Sequence, residues 1–233
     1  MTARRLVLSF AELEVLWRSA PPDAPRPPGF APVAAGDVEP ALTAAAVTLA
    51  ERGLLGPDGA HPALAADLAV LAAPEVAVSL TASRPGLDAV AVLALAGRRG
   101  AGLLRTDDAH VQLSAFLPSS LAVELARVVP APVGPSPLPE PVELPLPALL
   151  DDGAGGPAAS LHRRVAGALH ATVAGRVTAP PVEWLWLHDG TGGGWVGLEP
   201  RGGPRARVVP VVPADLGAWL APAVADVLAE RAA

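Results

Sequence analysis

The chain is 233 residues long and 51% hydrophobic, with a formal net charge of −6, 28 prolines and no cysteine. Its length suits one large domain or two small ones with a sizeable core. The acidic balance argues against a nucleic-acid partner, and the lack of cysteine removes disulfide frameworks and thiolate chemistry.

All 17 cationic side chains are arginine, and asparagine, isoleucine and tyrosine are missing too. The absent types include those with AT-rich codons, so the bias reads as a high-GC genome rather than as a recognition device. The run from Leu6 to Ala11 meets Glu12 too soon to form the ~7–15-residue apolar core of a secretory signal. No stretch approaches the ~20 uncharged apolar residues of a membrane span. A soluble, cytoplasmic protein is expected.

In chain order, Ser9 and Glu12 make a Ser-x-x-Glu capping box, and Phe10, Leu13, Leu16 and Trp17 then share one helical face. Pro21 and Pro22 end that helix, and a proline-rich loop runs to Pro32. Asp37 offers a cap for a second helix with the stripe Leu42, Ala45, Ala46 and Leu49, stopped at Gly53. A third helix starts near Pro62, carries Leu64, Leu68 and Leu71, and ends before Pro74.

Strands follow at 75–80, 89–96, 101–106 and 110–116, with hairpin turns at Ser83–Gly86 and Gly97–Gly100. Pro118 leads into a helix carrying Leu121, Leu125 and Val128. The proline-rich stretch 130–147 reads as an extended connector. Leu161, Val165, Leu169 and Val173, four residues apart, predict an amphipathic helix with Arg163, Arg164 and His170 outside. Strands at 182–188, 194–200 and 206–212 precede Pro213 and a last helix with Leu216, Leu220 and Val224. Pro222 inside that helix is expected to kink or split it. The blocks 75–129 and 182–228 thus share a plan of strands, proline and helix. The chain is expected to form one domain of two similar halves, about 1–130 and 148–233, joined through 130–147.

Catalytic chemistry is not apparent. His61, His110, His162, His170 and His188 are scattered without ligand spacing. Asp107-Asp108 and Asp151-Asp152 fall in turns, where aspartate serves local hydrogen bonds. The loop from Asp189 to Trp195 is glycine-rich, but a strand and not a helix N-terminus follows it, so it reads as a hairpin rather than a phosphate cradle. No Gly-x-Ser-x-Gly elbow is present. No enzyme activity, metal or cofactor is expected. The strand with Trp184 and Trp186 on one face and Leu185 and Leu187 on the other is either buried under helices or turned toward a partner.

Several segments resemble the EspG family, the cytosolic chaperones of ESX (type VII) secretion in actinobacteria. Leu49-Ala50-Glu51-Arg52-Gly53-Leu54-Leu55 is similar to the family's helix ending, and a Pro62-x-Leu64 helix and Leu71-Ala72-Ala73-Pro74 follow it in family order. Leu8 to Trp17, Gly194 to Leu198 and Pro210 to Leu216 also resemble family segments. The hairpin Trp186–Gly190 differs, lacking the family's tyrosine.

The resemblance implies an α+β fold: a single domain of two quasi-two-fold-related halves, with a central, mostly antiparallel twisted sheet packed against helical bundles. It also implies a partner, the apolar helical tip of a PE/PPE-like secretion substrate, with no nucleic acid, membrane insertion or small-molecule substrate involved. Arg98, Arg99, Trp184, Trp186 and Trp219 are the expected interface residues. The alternatives are an interaction module outside secretion, or a small-molecule binder or enzyme with a pocket between the halves.

Overall fold

The computed structural model describes residues 4–18, 25–27, 29–30, 38–105, 107–149, 155–175, 177–201 and 203–230. The expected Pro21-Pro22 helix stop, the Asp37 cap and the Asp151-Asp152 pair lie outside them.

Strand β1 (Arg4–Ser9) runs into α1 (Phe10–Trp17), and Ser9 closes the expected capping box. The Ser9 hydroxyl accepts from the Glu12 amide at 3.1 Å, and the Glu12 carboxylate accepts from the Ser9 amide at 2.7 Å. Helix α2 (Glu39–Glu51) ends in a Schellman turn. The Gly53 amide donates to Ala50 and the Leu54 amide to Leu49, with Gly53 at φ +67°. Arg52, in the same family-like segment, reaches back to the Glu12 carboxylate at 2.7 Å and the Val7 carbonyl at 2.9 Å. It therefore joins the end of α2 to the start of α1 and to β1.

A small hairpin, β2 (Leu55–Gly56) and β3 (Gly59–Ala60), leads to α3 (Pro62–Ala72), where Pro62 opens the helix and the His61 ring caps it. The strands β4 (Val76–Arg84), β5 (Leu87–Ala96), β6 (Arg99–Arg105) and β7 (His110–Phe116) form a meander. After a 3₁₀ turn at Pro118–Ser120 comes α4 (Leu121–Val128). The proline-rich stretch contains a strand, β8 (Val142–Pro145), followed by α5 (Leu146–Leu149) and α6 (Gly156–His162). A second meander, β9 (Val165–Ala174), β10 (Val182–His188), β11 (Gly193–Pro200) and β12 (Arg205–Val211), precedes α7 (Asp215–Ala229).

Two expectations need correction. The segment 165–174 is strand β9, not helix. Positions four apart share a face in a strand as well as in a helix, and Ala171, buried between Leu169 and Val173, supplies the alternation that marks a strand. Pro222 does not divide the last helix, because α7 continues through it.

Ten strands form one antiparallel sheet in the order β1-β7-β6-β5-β4-β9-β10-β11-β12-β8. On either side of the β4–β9 seam, four strands run as a meander, and a strand from earlier in the chain adds to the outer edge. At the seam Gly167 lies so close to β4 that a Cβ there would sit 2.0 Å from the Ser83 carbonyl oxygen.

One face of the sheet carries a core that crosses the seam, from Val78 and Leu93 to Trp184 and Val211, under α4 and α7. These two helices meet where Gly217 abuts Ala122, with no room for a Cβ on the glycine. The other face bears two separate cores. Leu8, Leu16, Leu68 and Leu103 pack under α1 to α3, and Leu144, Leu161, Leu187 and Val196 pack with α5 and α6. Adjacent residues of β1 tie helices to both faces. Arg4 pairs with Asp67 of α3, and Arg5 pairs with Glu124 of α4 at 3.1 Å.

Candidate functional site

Trp184 and Trp186 lie in the core, 0% and 1% exposed. Trp219 of α7 stands edge-on to Trp184 with ring centroids 5.8 Å apart, and it rests on Gly197, where a Cβ would be 2.4 Å from the ring. Trp186 meets Trp195 edge-on at 5.0 Å, and the Arg84 guanidinium lies over the Trp186 ring at 5.1 Å. The Trp195 indole nitrogen donates to the Pro130 carbonyl at 2.7 Å. The expectation that Trp184 and Trp186 present a docking surface is therefore corrected: both are buried, Trp184 against Trp219 of α7 and Trp186 against Trp195 and Arg84. Trp219 itself remains half-buried.

Among the described residues, no helix covers the middle of the second face, between the core under α1 to α3 and the core beside α5 and α6. A cross-strand row runs Arg105, Val90, Thr81, His170, Glu183 over β6, β5, β4, β9 and β10. Thr81, Ser83, Ala168, His170 and Glu183 are exposed, and Val90 and Leu185 are half-buried among them. The His170 ring and the Glu183 carboxylate stand 3.6 Å apart. The strip alternates with the buried Val78, Leu80 and Ala82, as expected for strands covered on one face only. The result is a trough floored by strand residues, among them Thr81, Ser83, Val90, Ala168 and His170. Leu87, 41% exposed, lies at its mouth beside the Pro85-Gly86 turn.

Arg98 and Arg99 occupy the β5–β6 turn and its edge, where the structure brings them together with Arg4 and Asp67. The four surround a groove of about 360 Å³ that is also lined by Ala63, Gly100, Ala115, Phe116, Leu117 and Ser120. Asp67 pairs with Arg4 and stands 3.9 Å from Arg99. Burial pushes its carboxyl above the usual range, while the Arg4 and Arg99 guanidiniums pull it part of the way back. Nothing in sequence spacing joins Arg4, Asp67 and Arg98, since chain pairing alone brings them together.

The remaining polar clusters serve turns. The Asp107 carboxylate accepts from the Ala109 and His110 amides and is held below the ordinary carboxylate range, chiefly by the Ala109 amide. Asp189 likewise accepts from the Thr191 hydroxyl and the Thr191 and Gly192 amides, which lower its pKa. The glycine-rich loop is thus a hairpin whose amides are already engaged. Among the described residues, no group of three or more His, Asp or Glu is placed to hold a metal ion, and no helix is long and apolar enough to cross a membrane.

Comparison with known proteins bears on this arrangement. A search of curated proteins finds no match. Among solved structures, the fold is similar to the type VII secretion system chaperone EspG5 of Mycobacterium tuberculosis, solved in complex with a PE25–PPE41 dimer. The TM-score is 0.58 at 14% identity, covering 92% of this chain and 94% of that one. The model of the EspG family matches residues 9–225. Nearly the whole chain is spanned by that match, and it belongs to the EspG family.

Proposed function

We propose that this protein is a non-enzymatic cytosolic chaperone of type VII secretion, which covers the apolar helical tip of a PE/PPE-like substrate until export. The observation that carries this reading is the family match over 9–225 on a fold shared, nearly end to end, with a chaperone solved together with its client. The chain acts as one domain, its halves of about 1–130 and 148–233 sharing a sheet to which the connector adds β8.

The client lies in the bare trough over β4, β9 and β10. A convex tip lies across the strands, and Val90 and Leu185 give apolar contact amid groups that hydrogen-bond its flanks. A specific cap of this kind buries about 1,200–2,000 Å² in total. Release at export requires only moderate affinity. In this reading Trp184 and Trp186 support the floor from beneath, and Arg98 and Arg99 lie outside the trough.

Coexpression with a PE/PPE-like heterodimer encoded nearby, followed by size-exclusion chromatography, tests the reading. The expected result is a stable 1:1:1 complex and a client that is insoluble without this chain. Thr81→Arg, on the trough floor, should abolish coelution while leaving the chaperone folded. A client equally soluble alone, and never coeluting, overturns the proposal.

A further inference from the structure

We infer that the groove beside the β5–β6 turn is a second docking site, shaped for a segment of a partner protein that presents an apolar side chain flanked by carboxylates. Its floor is apolar and its rim cationic. The Phe116 ring lies flat on Gly100, where a Cβ would be 2.4 Å from it, and Leu117 stays 44% exposed beside it. On the rim the guanidiniums of Arg4, Arg98 and Arg99 face a single carboxylate, Asp67, which is 4% exposed. Arg4 and Asp67 pair with each other, Arg99 is held only loosely at 3.9 Å, and Arg98 makes no ion pair with any described residue.

An incoming carboxylate therefore finds one unpaired guanidinium and one weakly engaged, and these donors form short charge-assisted bonds. A bare anion would leave the apolar floor wet, and a purely apolar segment would leave the arginines unanswered. About 360 Å³ admits one or two side chains, not a folded domain.

The place of the groove matters as much as its lining. The Pro85-Gly86 turn at the mouth of the trough and the Gly97-Arg98 turn at the groove lie at opposite ends of β5 (Leu87–Ala96). At a rise of about 3.3 Å per residue, they are roughly 30 Å apart. A molecule in the trough leaves the groove open, so the protein can be held by one partner while it holds another. This inference does not depend on what occupies the trough.

The test uses the full chain and a fluorescein-labelled synthetic peptide of alternating glutamate and leucine, with fluorescence anisotropy as the readout. The Glu–Leu peptide should bind at low salt and weaken as salt rises. The double variant Arg98→Glu, Arg99→Glu should bind it at least tenfold more weakly, with an unchanged circular dichroism spectrum. Arg98→Lys with Arg99→Lys should retain most of the affinity. A peptide of alternating glutamine and leucine should bind at least tenfold more weakly to the unmodified chain. Thr81→Arg in the trough should leave Glu–Leu binding unchanged. No binding of the Glu–Leu peptide, equal binding by the charge-reversed variant, equal binding of the Gln–Leu peptide, or loss on Thr81→Arg would each overturn the proposal.

Discussion

On the β1 side of the seam, the buried carboxylates Glu12, Glu14, Asp67 and Glu124 each meet an arginine: Arg52, Arg18, Arg4 and Arg5. On the β8 side no carboxylate is buried among the described residues, and Trp184, Trp186 and Trp195 fill the centre instead. Both sides follow the same strand plan, so that plan does not prescribe how a core is made. One half pairs its buried carboxylates with arginines, two of which, Arg4 and Arg5, join the sheet to helices, and the other half packs large rings on glycines.

The largest expected break in this contrast is Trp186→Ala. The side chain is 1% exposed and packed against Trp195 and Arg84, so its loss should cost about 3–5 kcal/mol in urea unfolding. Next comes the seam. Gly167→Ala drives a methyl against the Ser83 carbonyl, and because that neighbour is backbone, the strands must shift. A loss of about 1–3 kcal/mol is expected, with reduced hydrogen-exchange protection along β4 and β9.

On the ion-paired side, Arg52→Ala leaves the Glu12 carboxylate without its partner. With Arg52 itself one-third exposed, the cost should be about 1–2 kcal/mol, below the range for a fully buried pair. Adding Glu12→Gln should restore part of this, since glutamine keeps the capping box without an orphaned charge.

The smallest effects appear on acid titration, with opposite signs. Asp107 and Asp189 have folded pKa values below the reference of 3.8, so each contributes stability that is present above that value and lost as pH falls below it. Asp107→Asn should flatten the acid limb of stability slightly. Asp67 has a raised folded pKa, so its contribution falls as pH rises from 3.8 through the folded value. Asp67→Asn should therefore make stability rise more steeply with pH in that window.

Strands with strong β character and turn punctuation were legible: β7 and β10 lie where their residues predict, and the Ser9 capping box is as expected. The strand plan, proline and closing helix could be read in both halves. Strand β9 is ambiguous in the sequence because Leu161, Val165, Leu169 and Val173 satisfy two periods at once. Strand β8 was hidden because Pro141 and Pro145 bracket it, and prolines of that kind are tolerated only at a sheet edge.

The candidate site was less legible. Trp184 and Trp186 sit on a strand apolar on both faces, and the packing of α7 decides which face is open. Arg98 and Arg99 were identifiable as a turn, but the groove exists only because β1 and α3 arrive there from distant sequence.

Arg52 has a consequence beyond its pairing with Glu12. Its second nitrogen donates to the carbonyl of Val7, on a border strand of the sheet. A border strand is a template onto which a foreign strand can add, the first step toward fibrils. Here one of its acceptors is already taken by a charged side chain. The opposite border, β8 (Val142–Pro145), is four residues long and ends in a proline that offers no donor. Both margins of the sheet are thereby less open to the addition of a foreign strand.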